Sequence, residues 1–360
     1  MSPSIRFPEF TGEWKNTTLE ECVDFLDGQR KPIKSDDRKG EKRLYPYYGA
    51  SGIIDYIDEY IFDGDYILLS EDGANIIDRN YRVAFIANGK IWVNNHAHVL
   101  QPHKEMNINF LSEALERINY AIYNTGTTMP KLNQEICRKI NLNVPSLSEQ
   151  NKIGNLLYLL NERIATQNRL IEDLKKLRCA VSNKLFQSVK GVVIPLSSIS
   201  NIVKGKQING DFLAEVGEYY VMNGGTEPSG YYDNYNVEAN TISISEGGNS
   251  CGYVQFNRMP FWSGGHCYTI QDIVSDVETL YLYHYLKSKE DSIMKLRIGT
   301  GLPNIQKKDL AEFKVIIPAI EQQRTISNIL SLLERKNEIE GQLLIAMRTE
   351  KQHLLRQMFI

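Results

Sequence analysis

Cysteine is scarce in this chain of 360 residues, and no long apolar run occurs. The five cysteines are widely spaced and never form a C-x-x-C pair: Cys22, Cys137, Cys179, Cys251 and Cys267. This odd number and spacing argue against a disulfide framework and a zinc knuckle, and they predict reduced, mostly buried thiols. No segment approaches the roughly 20 apolar residues of a membrane span. Residues 1–8 lack the apolar core of a signal peptide. We therefore expect a cytoplasmic protein without a membrane partner.

The chain repeats itself at an offset of 173 residues. Segment 126–132 matches segment 299–305 in a Gly-Thr-x-x-Pro pattern, and ten identities occur in the 35 positions from 126 to 160. Chance would give roughly two, so the sequence indicates an internal duplication. Three more pairs of segments correspond upstream: 70–73 with 245–248, 94–98 with 264–268, and 47–50 with 222–225.

Each copy begins with short alternating or apolar runs bounded by Gly, Asn and Asp. Such runs are typical of strands joined by turns, and they occur at 66–69, 83–86, 241–244 and 313–317. Amphipathic segments near 109–123 and 278–296 predict helices. The first part of each copy is therefore predicted to be a mixed α+β globular domain.

Each globular part is followed by a long amphipathic segment. Apolar residues recur with 4-3-4-3 spacing over 153–185 and again over 326–358. This spacing is typical of the a and d positions of a coiled coil. A helix over residues 148–186 would be roughly 58 Å long at 1.5 Å per residue. Ser148 is the predicted N-cap.

Polar residues interrupt the two apolar seams at matching places. Gln167 corresponds to Glu340, and Arg178 corresponds to Lys351. Together with Asn337, they are predicted to fix the register between the two helices. The alternative that stays open is that each helix packs on its own domain as an ordinary amphipathic helix.

Catalytic motifs are missing. The chain has no G-x-x-x-x-G-K-[ST] loop, no G-x-G-x-x-G after a strand, and no Asn-Pro-Pro-aromatic or Asp-Pro-Pro-aromatic tetrapeptide of amino-methyltransferases. Glu312-Phe313-Lys314 is similar to the E-x-K of metal nucleases, but the other copy has Lys139-Ile140-Asn141 there. We predict no catalytic residue and no metal site.

Two further patterns leave alternatives open. His96 and His98 would share one face of a strand and could bind a metal, but the second copy has Tyr268 in place of the second histidine, which favours a hydrogen-bonded structural role. The Gly-Thr-x-x-Pro loops could bind phosphate through backbone amides or could simply be tight turns.

These features in combination resemble the specificity subunits of type I restriction-modification enzymes. The shared pattern is two copies of Ser-Glu-x-Gly, a histidine motif and Gly-Thr-x-x-Pro, each followed by Pro-x-x-x-x-Gln-x-x-Ile and a long heptad helix. The opening Arg-Phe-Pro-Glu-Phe at 6–10, with Glu13 and Trp14, also resembles the start of that family. The resemblance covers essentially the whole chain.

The resemblance implies two target recognition domains separated by two long antiparallel coiled-coil helices, with a pseudo-twofold internal repeat. The predicted segments are 1–145 (first recognition domain), 146–190 (first helix), 191–318 (second recognition domain) and 319–360 (second helix). It also implies a non-catalytic subunit that presents double-stranded DNA to two methyltransferase subunits and to restriction subunits. No cofactor is expected on this chain, whereas S-adenosylmethionine, ATP and Mg²⁺ are expected on the partner subunits.

Two divergent readers on one spacer predict a bipartite, asymmetric DNA target with an unread gap whose length the helix pair sets. Arg and Lys can read guanine, and Asn and Gln can read adenine. The favoured candidates lie in corresponding loops of the two copies: Gln29, Arg30, Lys31 and Lys34, and Lys204, Lys206, Gln207 and Asn209. Further candidates are Asn75, Lys131, Asn223, Tyr231 and Asn249. For each residue, base reading and phosphate contact both stay open.

The net charge of the chain is −3, whereas DNA-binding proteins usually have an excess of basic residues. Basic charge is concentrated instead, since residues 30–43 hold seven Lys and Arg against three acidic residues. We expect weak DNA binding by the chain alone, with its partners neutralising many of the phosphates. Two other functions stay open: a specificity subunit for a fused nuclease-methyltransferase of another restriction class, and a coiled-coil scaffold with no role on DNA.

Overall fold

The computed structural model describes residues 3–38, 42–299, 301 and 303–359, and the chain divides into two compact units. Unit 1 comprises Met1–Asn168 and Gln342–Ile360, and unit 2 comprises Arg169–Gly341. The four-segment division from the sequence stays a prediction, because these compact units divide both long helices rather than separating them from the globular parts.

Unit 1 contains a six-stranded sheet and a separate strand pair. Its strands are β1 (Lys15–Thr18), β2 (Val23–Phe25), β3 (Tyr45–Gly49), β4 (Gly52–Ile57), β5 (Phe62–Ser70), β6 (Ala84–Val93), β7 (Ala97–Pro102) and β8 (Asn141–Val144). The order in the large sheet is β2-β7-β5-β6-β3-β4, with β3 and β6 parallel and the other neighbours antiparallel. Strands β1 and β8 form the antiparallel pair.

The helices of unit 1 pack beside this sheet. They are α1 (Asn75–Asp78), α2 (Ile108–Glu116), α3 (Gln134–Arg138) and α4 (Leu147–Ser188), the last of which continues into unit 2. Short 3-10 turns occur at Leu19–Glu21, Asp27–Gln29, Ser35–Asp37 and Tyr120–Tyr123.

Strand β5 lies in the middle of the large sheet and is buried on both faces. Ile67 and Leu69 belong to the main core, which also contains Phe110 of α2. Leu68 points to a second cluster with Tyr66. Because side chains alternate between the faces of a strand, a continuous apolar run suits a strand that is covered on both sides.

Unit 2 has nine short strands in the part of the chain that the structure describes: β9 (Val192–Pro195), β10 (Asn201–Lys204), β11 (Tyr219–Met222), β12 (Tyr231–Tyr232), β13 (Thr241–Ser245), β14 (Val254–Asn257), β15 (Trp262–Ser263), β16 (Cys267–Gln271) and β17 (Lys314–Ile317). They form sheets of order β10-β16-β13-β14, β12-β11-β15 and β17-β9. Only β11 and β15 are parallel among these pairs.

The helices of unit 2 are α5 (Thr279–Ser288), α6 (Glu290–Met294), α7 (Lys307–Ala311) and α8 (Ile320–Met358), with 3-10 turns at Leu196–Ser198 and Gly210–Phe212. Helix α8 begins in unit 2 and ends in unit 1. No helix among the described residues is both long and apolar enough to span a bilayer.

Helices α4 and α8 pair with opposite directions within each unit. In unit 1 the start of α4 and the end of α8 join one core through Leu157 and Met358. In unit 2 the end of α4 and the start of α8 do so through Phe186 and Ile326. None of the predicted seam residues is fully exposed. The α+β class with two similar units and two long antiparallel helices is therefore confirmed.

One local expectation, the N-cap of the first long helix, is corrected. Ser146, not Ser148, caps α4, because its hydroxyl accepts a hydrogen bond from the Glu149 amide at 3.4 Å. Arg178 does reach the other long helix, where Glu334 lies 3.2 Å away. Lys351, however, pairs with Glu113 of α2 at 3.1 Å. This seam lysine therefore ties α8 to a globular part. The same Glu113 oxygen accepts a hydrogen bond from Asn161 of α4 at 2.8 Å, and the role of Lys351 in helix register stays a prediction.

Candidate nucleic-acid interface

The turn that follows β5 joins three separate segments of unit 1 through its backbone. The Glu71 amide donates to the His96 carbonyl at 2.9 Å, and the Glu71 carbonyl accepts from the Leu132 amide at 2.7 Å. The Gly73 amide donates to the Pro130 carbonyl at 3.0 Å. Residues 71–73, 96 and 130–132 therefore form one rigid arrangement, called here the backbone frame.

The same backbone frame is present in unit 2 after β13. The Glu246 amide donates to His266 at 2.9 Å, its carbonyl accepts from Ile305 at 2.8 Å, and Gly248 donates to Pro303 at 3.0 Å. The serine before each glutamate also has one role in both units. Ser70 Oγ donates to the Ala50 carbonyl at 2.5 Å, and Ser245 Oγ donates to that of Gly224 at 2.6 Å. Segments 70–73 and 94–98 are thus equivalent in structure to 245–248 and 264–268. Segment 47–50, however, is equivalent to 221–224, one residue away from the match made in the sequence, because Tyr47 pairs with Trp92 as Val221 pairs with Trp262.

Charged side chains surround the frame in unit 1. Arg30 Nη1 lies 2.7 Å from Glu71 Oε2 and donates to the Ala97 carbonyl at 2.8 Å. Lys131 Nζ lies 3.5 Å from the other carboxylate oxygen of Glu71. One carboxylate thus holds two cations that come from different loops.

His98 is buried next to these groups. Its Nδ1 lies 2.6 Å from Asp27 Oδ2, and its Nε2 donates to the Leu132 carbonyl at 2.9 Å. Burial alone lowers the pKa of His98, but hydrogen bonds to Asp27 and Cys137 and the negative charge of the Asp27 carboxylate raise it to about 10. Since both ring nitrogens face acceptors, His98 carries a positive charge at neutral pH.

Asp27, Glu71 and His98 lie close enough together to hold a metal ion among the described residues. The chain supplies its own cation there, because Arg30 lies 3.5 Å from Asp27 and 2.7 Å from Glu71. His96 points elsewhere and pairs with Asp72 at 2.9 Å. The two histidines therefore do not form a pair of metal ligands, and the structural role that the repeat favoured fits the geometry.

Unit 2 has a simpler set of charges around its frame. Lys204 Nζ lies 2.6 Å from Glu246 Oε1. Tyr268 stands where unit 1 has His98, and its hydroxyl shares its single hydrogen between two acceptors, Glu246 at 3.0 Å and the Ile305 carbonyl at 3.2 Å. His266 lies 3.8 Å from the carboxylate. The acid is kept in both units, whereas its partners differ.

A tryptophan fixes the candidate loop in each unit. Trp92 Nε1 donates to the Lys31 carbonyl at 2.6 Å, and Trp262 Nε1 donates to the Lys206 carbonyl at 2.9 Å. Each tryptophan precedes the histidine of the backbone frame by four residues. Lys31 and Lys206 therefore occupy equivalent places, as their positions in the two copies suggested.

The candidates of unit 1 fall into two groups. Gln29, Lys31 and Lys34 have exposed side chains. Arg30 is only 13% exposed and pairs internally, so it braces the loop. Asn75 exchanges hydrogen bonds with the backbone of Tyr81 at 2.7 and 3.0 Å. Of the basic segment 30–43, residues 39–41 lie outside the described residues.

The candidates of unit 2 also fall into two groups: exposed side chains, and residues that make hydrogen bonds or strand pairs within the protein. Lys206, Gln207 and Asn249 are exposed, and Gln207 lies against Gly265, where a Cβ would collide with its side-chain oxygen. Asn209 caps the 3-10 turn Gly210–Phe212 by accepting from the Asp211 amide. Asn223 accepts from the His266 amide at 3.2 Å. Tyr231 pairs through its backbone with Tyr220 in β11. All of these assignments stay predictions.

The Gly-Thr-x-x-Pro loop of unit 1 is a tight turn. Asn124 Oδ1 accepts from the amides of Gly126 and Lys131 at 2.9 and 2.8 Å. A Cβ at Gly126 would collide with the Met129 carbonyl oxygen. These two amides are not free for phosphate. In the second copy, Thr300 and Leu302 lie outside the described residues.

The sequence pattern did not single out Glu71, Glu246, Trp92 or Trp262 as site residues. The signal was present in the repeat, because each pair occupies matching positions. Their roles depend on side-chain contacts with loops distant in sequence, which spacing alone does not encode.

Comparisons with known proteins agree with this geometry. The family model described as "Type I restriction modification DNA specificity domain" matches residues 11–176 and 189–347. A Haemophilus influenzae protein assigned as a type I restriction enzyme specificity subunit is 27% identical over 345 residues, covering 89% of this chain and 87% of that protein. A Mycoplasma pneumoniae protein assigned as a type I specificity subunit is 31% identical over 166 residues, covering 46% and 44%.

The crystal structure of a type I restriction-modification system S subunit from M. genitalium shares the fold. It superposes with a TM-score of 0.77 at 21% identity and covers 100% of this chain and 99% of that one. With both globular parts matched by one family model, this chain belongs to the family of type I restriction-modification DNA specificity proteins.

Proposed function

We propose that this chain is the subunit that reads a bipartite, asymmetric target on double-stranded DNA, with one half-site for each unit. The observation that carries the proposal is the backbone frame, which is the same after β5 and after β13, while the side chains beside it differ. A shared frame with divergent side chains suits two readers that bind similar DNA surfaces in a similar way but recognise different bases.

The chemistry of the exposed loop residues supports two different half-sites. Unit 1 presents Gln29, Lys31 and Lys34, whereas unit 2 presents Lys206 and Gln207. Lysine can donate to guanine O6 and N7, and glutamine can bind adenine through N6 and N7. Contacts from the same residues to phosphates would set the register of the protein on the duplex.

The proposal places all catalysis on other subunits in the cytoplasm. Two methyltransferase subunits would carry S-adenosylmethionine and flip the target adenine out of the duplex. Restriction subunits would carry ATP and Mg²⁺. This chain would bind no cofactor and would supply sequence recognition and the placement of its partners.

Single-molecule sequencing of modified bases, in cells with and without this chain, tests the proposal. We expect methylated adenines within a motif of two dissimilar halves, present only when the chain is expressed. Methylation that does not depend on the chain would contradict the proposal. Co-purification of a separate methyltransferase, instead of a fused nuclease-methyltransferase, distinguishes the type I assembly from the other restriction class.

A further inference from the structure

Glu71 and Glu246 occupy one equivalent position in the two units. The backbone amide of each donates to the carbonyl of the frame histidine. The carbonyl of each accepts from the amide of the second residue after the proline of Gly-Thr-x-x-Pro, which is Leu132 in unit 1 and Ile305 in unit 2. The two side chains are 15% and 5% exposed. Both carboxylates therefore start from the same backbone geometry and lie below the protein surface.

Each carboxylate holds the ammonium group of a half-exposed lysine. Lys131 is 51% exposed and lies 3.5 Å from Glu71, and Lys204 is 52% exposed and lies 2.6 Å from Glu246. A lysine without a partner on a surface samples many rotamers, whereas an ion pair with a largely buried acid restricts the positions of its ammonium group. Both ammonium groups can still donate hydrogen bonds to a further acceptor.

The two lysines come from different places in the fold. Lys131 follows the Gly-Thr-x-x-Pro loop of unit 1, where unit 2 has Asn304. Lys204 ends β10 of unit 2, and near the equivalent loop of unit 1 the cation is Arg30, which is largely covered. Both units thus have the acid at the same position, but the exposed lysine that pairs with it comes from a different loop in each unit. This exchange indicates that the acid serves to hold a cation beside the frame.

We propose that Glu71 and Glu246 are positioning residues for half-site recognition, which hold Lys131 and Lys204 where their ammonium groups reach acceptors on the DNA. The proposal rests on the proposed function, in which each unit reads one half-site. The acid also offsets the charge of the lysine. The acid thereby weakens the attraction of the lysine to DNA phosphates, which does not depend on sequence. The ammonium group can still donate a directed hydrogen bond to a base edge.

Glu71→Gln and Glu246→Gln, in the full chain assembled with its methyltransferase partner, test this role. The substrates are the target found by methylation sequencing, the target with one base pair changed in either half, and unrelated DNA. For Glu71→Gln we expect discrimination at one half-site to fall about 10-fold, within the range that one base contact supplies. Discrimination at the other half-site is unchanged. Glu246→Gln gives the reverse.

A second readout separates positioning from a merely structural role. Removing the acid frees a lysine charge, so binding to unrelated DNA becomes tighter and the slope of log K against log salt steepens by about 1. A loosened fold would weaken both kinds of binding. In addition, Glu71→Gln is expected to cost less discrimination in a Lys131→Gln background than in the wild type, because the two residues are coupled; the loss that remains comes from Arg30, which Glu71 also holds.

Three results would overturn the proposal: unchanged discrimination in both glutamine variants, an equal loss at both half-sites in either variant, or additive effects of Glu71→Gln and Lys131→Gln. Thermal unfolding checks that each variant folds. If Glu71→Gln does not fold, Lys131→Gln at its half-exposed site carries the same expected loss at one half-site, and no loss there refutes the proposal. Failure of the wild-type complex to methylate any bipartite target contradicts the proposed function itself.

Discussion

Phe359 stacks on Phe110 in unit 1, with ring centroids 5.1 Å apart and an angle of 15° between the planes. Trp14 meets both rings edge to face. Phe359 follows the second long helix, so the end of α8 completes the core of the first globular part. In unit 2, Phe186 near the end of α4 packs against Tyr285 at 5.5 Å. Each core is thus closed by a phenylalanine from the end of a long helix.

Phe359→Ala is expected to destabilise unit 1 by about 3–5 kcal/mol, because it leaves a cavity between Phe110 and Trp14. A single unfolding free energy is not well defined for a chain of two units, so amide hydrogen exchange is the suitable measurement. Exchange should accelerate in β5 and stay unchanged in β13. Phe186→Ala is the matched control with the opposite pattern, and equal acceleration in both strands would contradict this account.

The charge on His98 predicts how the stability of unit 1 depends on pH. The ordinary pKa of histidine is 6.5, and that of His98 in the folded protein is about 10. Because the folded-state pKa is the higher one, the stabilisation is complete below about pH 6.5 and is lost as the pH rises toward 10. Exchange of amides in β7, measured between pH 6.5 and 10 after correction for intrinsic rates, should show the loss.

The variant His98→Gln provides the control for this titration. Glutamine can still donate one hydrogen bond but carries no charge, so unit 1 should be less stable at pH 6.5 and nearly independent of pH above it. Unit 2 has Tyr268 at this place, with a pKa raised by burial and by Glu246, and should show no matching change. An equal pH dependence in wild type and His98→Gln would refute the assignment.

Much of the fold could be predicted from the sequence because it depends on periodicity. The heptad spacing from Ile153 to Leu185 identified a helix that the structure extends over Leu147–Ser188. The duplication identified two similar units, since matching residues such as Phe186 and Phe359 occupy matching cores. These features repeat along the chain, so they survive without knowledge of distant contacts.

The candidate site was less predictable because its properties arise from long-range pairing. Arg30 has the residue type of a base reader, but Asp27 and Glu71 hold it inside the protein. Lys351 lies in the helix seam, and its ion-pair partner is Glu113 of α2, a residue that the heptad spacing did not indicate. The acidic partner of each cation depends on loop conformation, and the spacing of residues in the sequence does not determine that conformation.

Trp92→Phe should loosen the first candidate loop without emptying the core. The ring stays, but the N–H donor to the Lys31 carbonyl is lost, and this hydrogen bond contributes about 1 kcal/mol. We expect faster hydrogen exchange over residues 31–34 and weaker discrimination at one half-site. Trp262→Phe should have the same effect on the Lys206 loop and the other half-site. A change at both half-sites in either variant would contradict the separate role of each tryptophan.

Lys31→Ala and Lys206→Ala compare the two equivalent loop lysines directly. Both side chains are exposed, so neither substitution should change thermal stability by more than about 0.5 kcal/mol. If the lysine contacts phosphate, its replacement by alanine should lower the salt slope of DNA binding by about 1 and weaken binding to all sequences alike. Loss of a lysine that reads guanine should instead relax specificity at one base pair.

Because the half-sites differ, we expect Lys206→Ala, and likewise Lys204→Ala, to affect only the second half-site. Unchanged methylation kinetics at the defined target for both of these variants would remove this loop from the DNA interface.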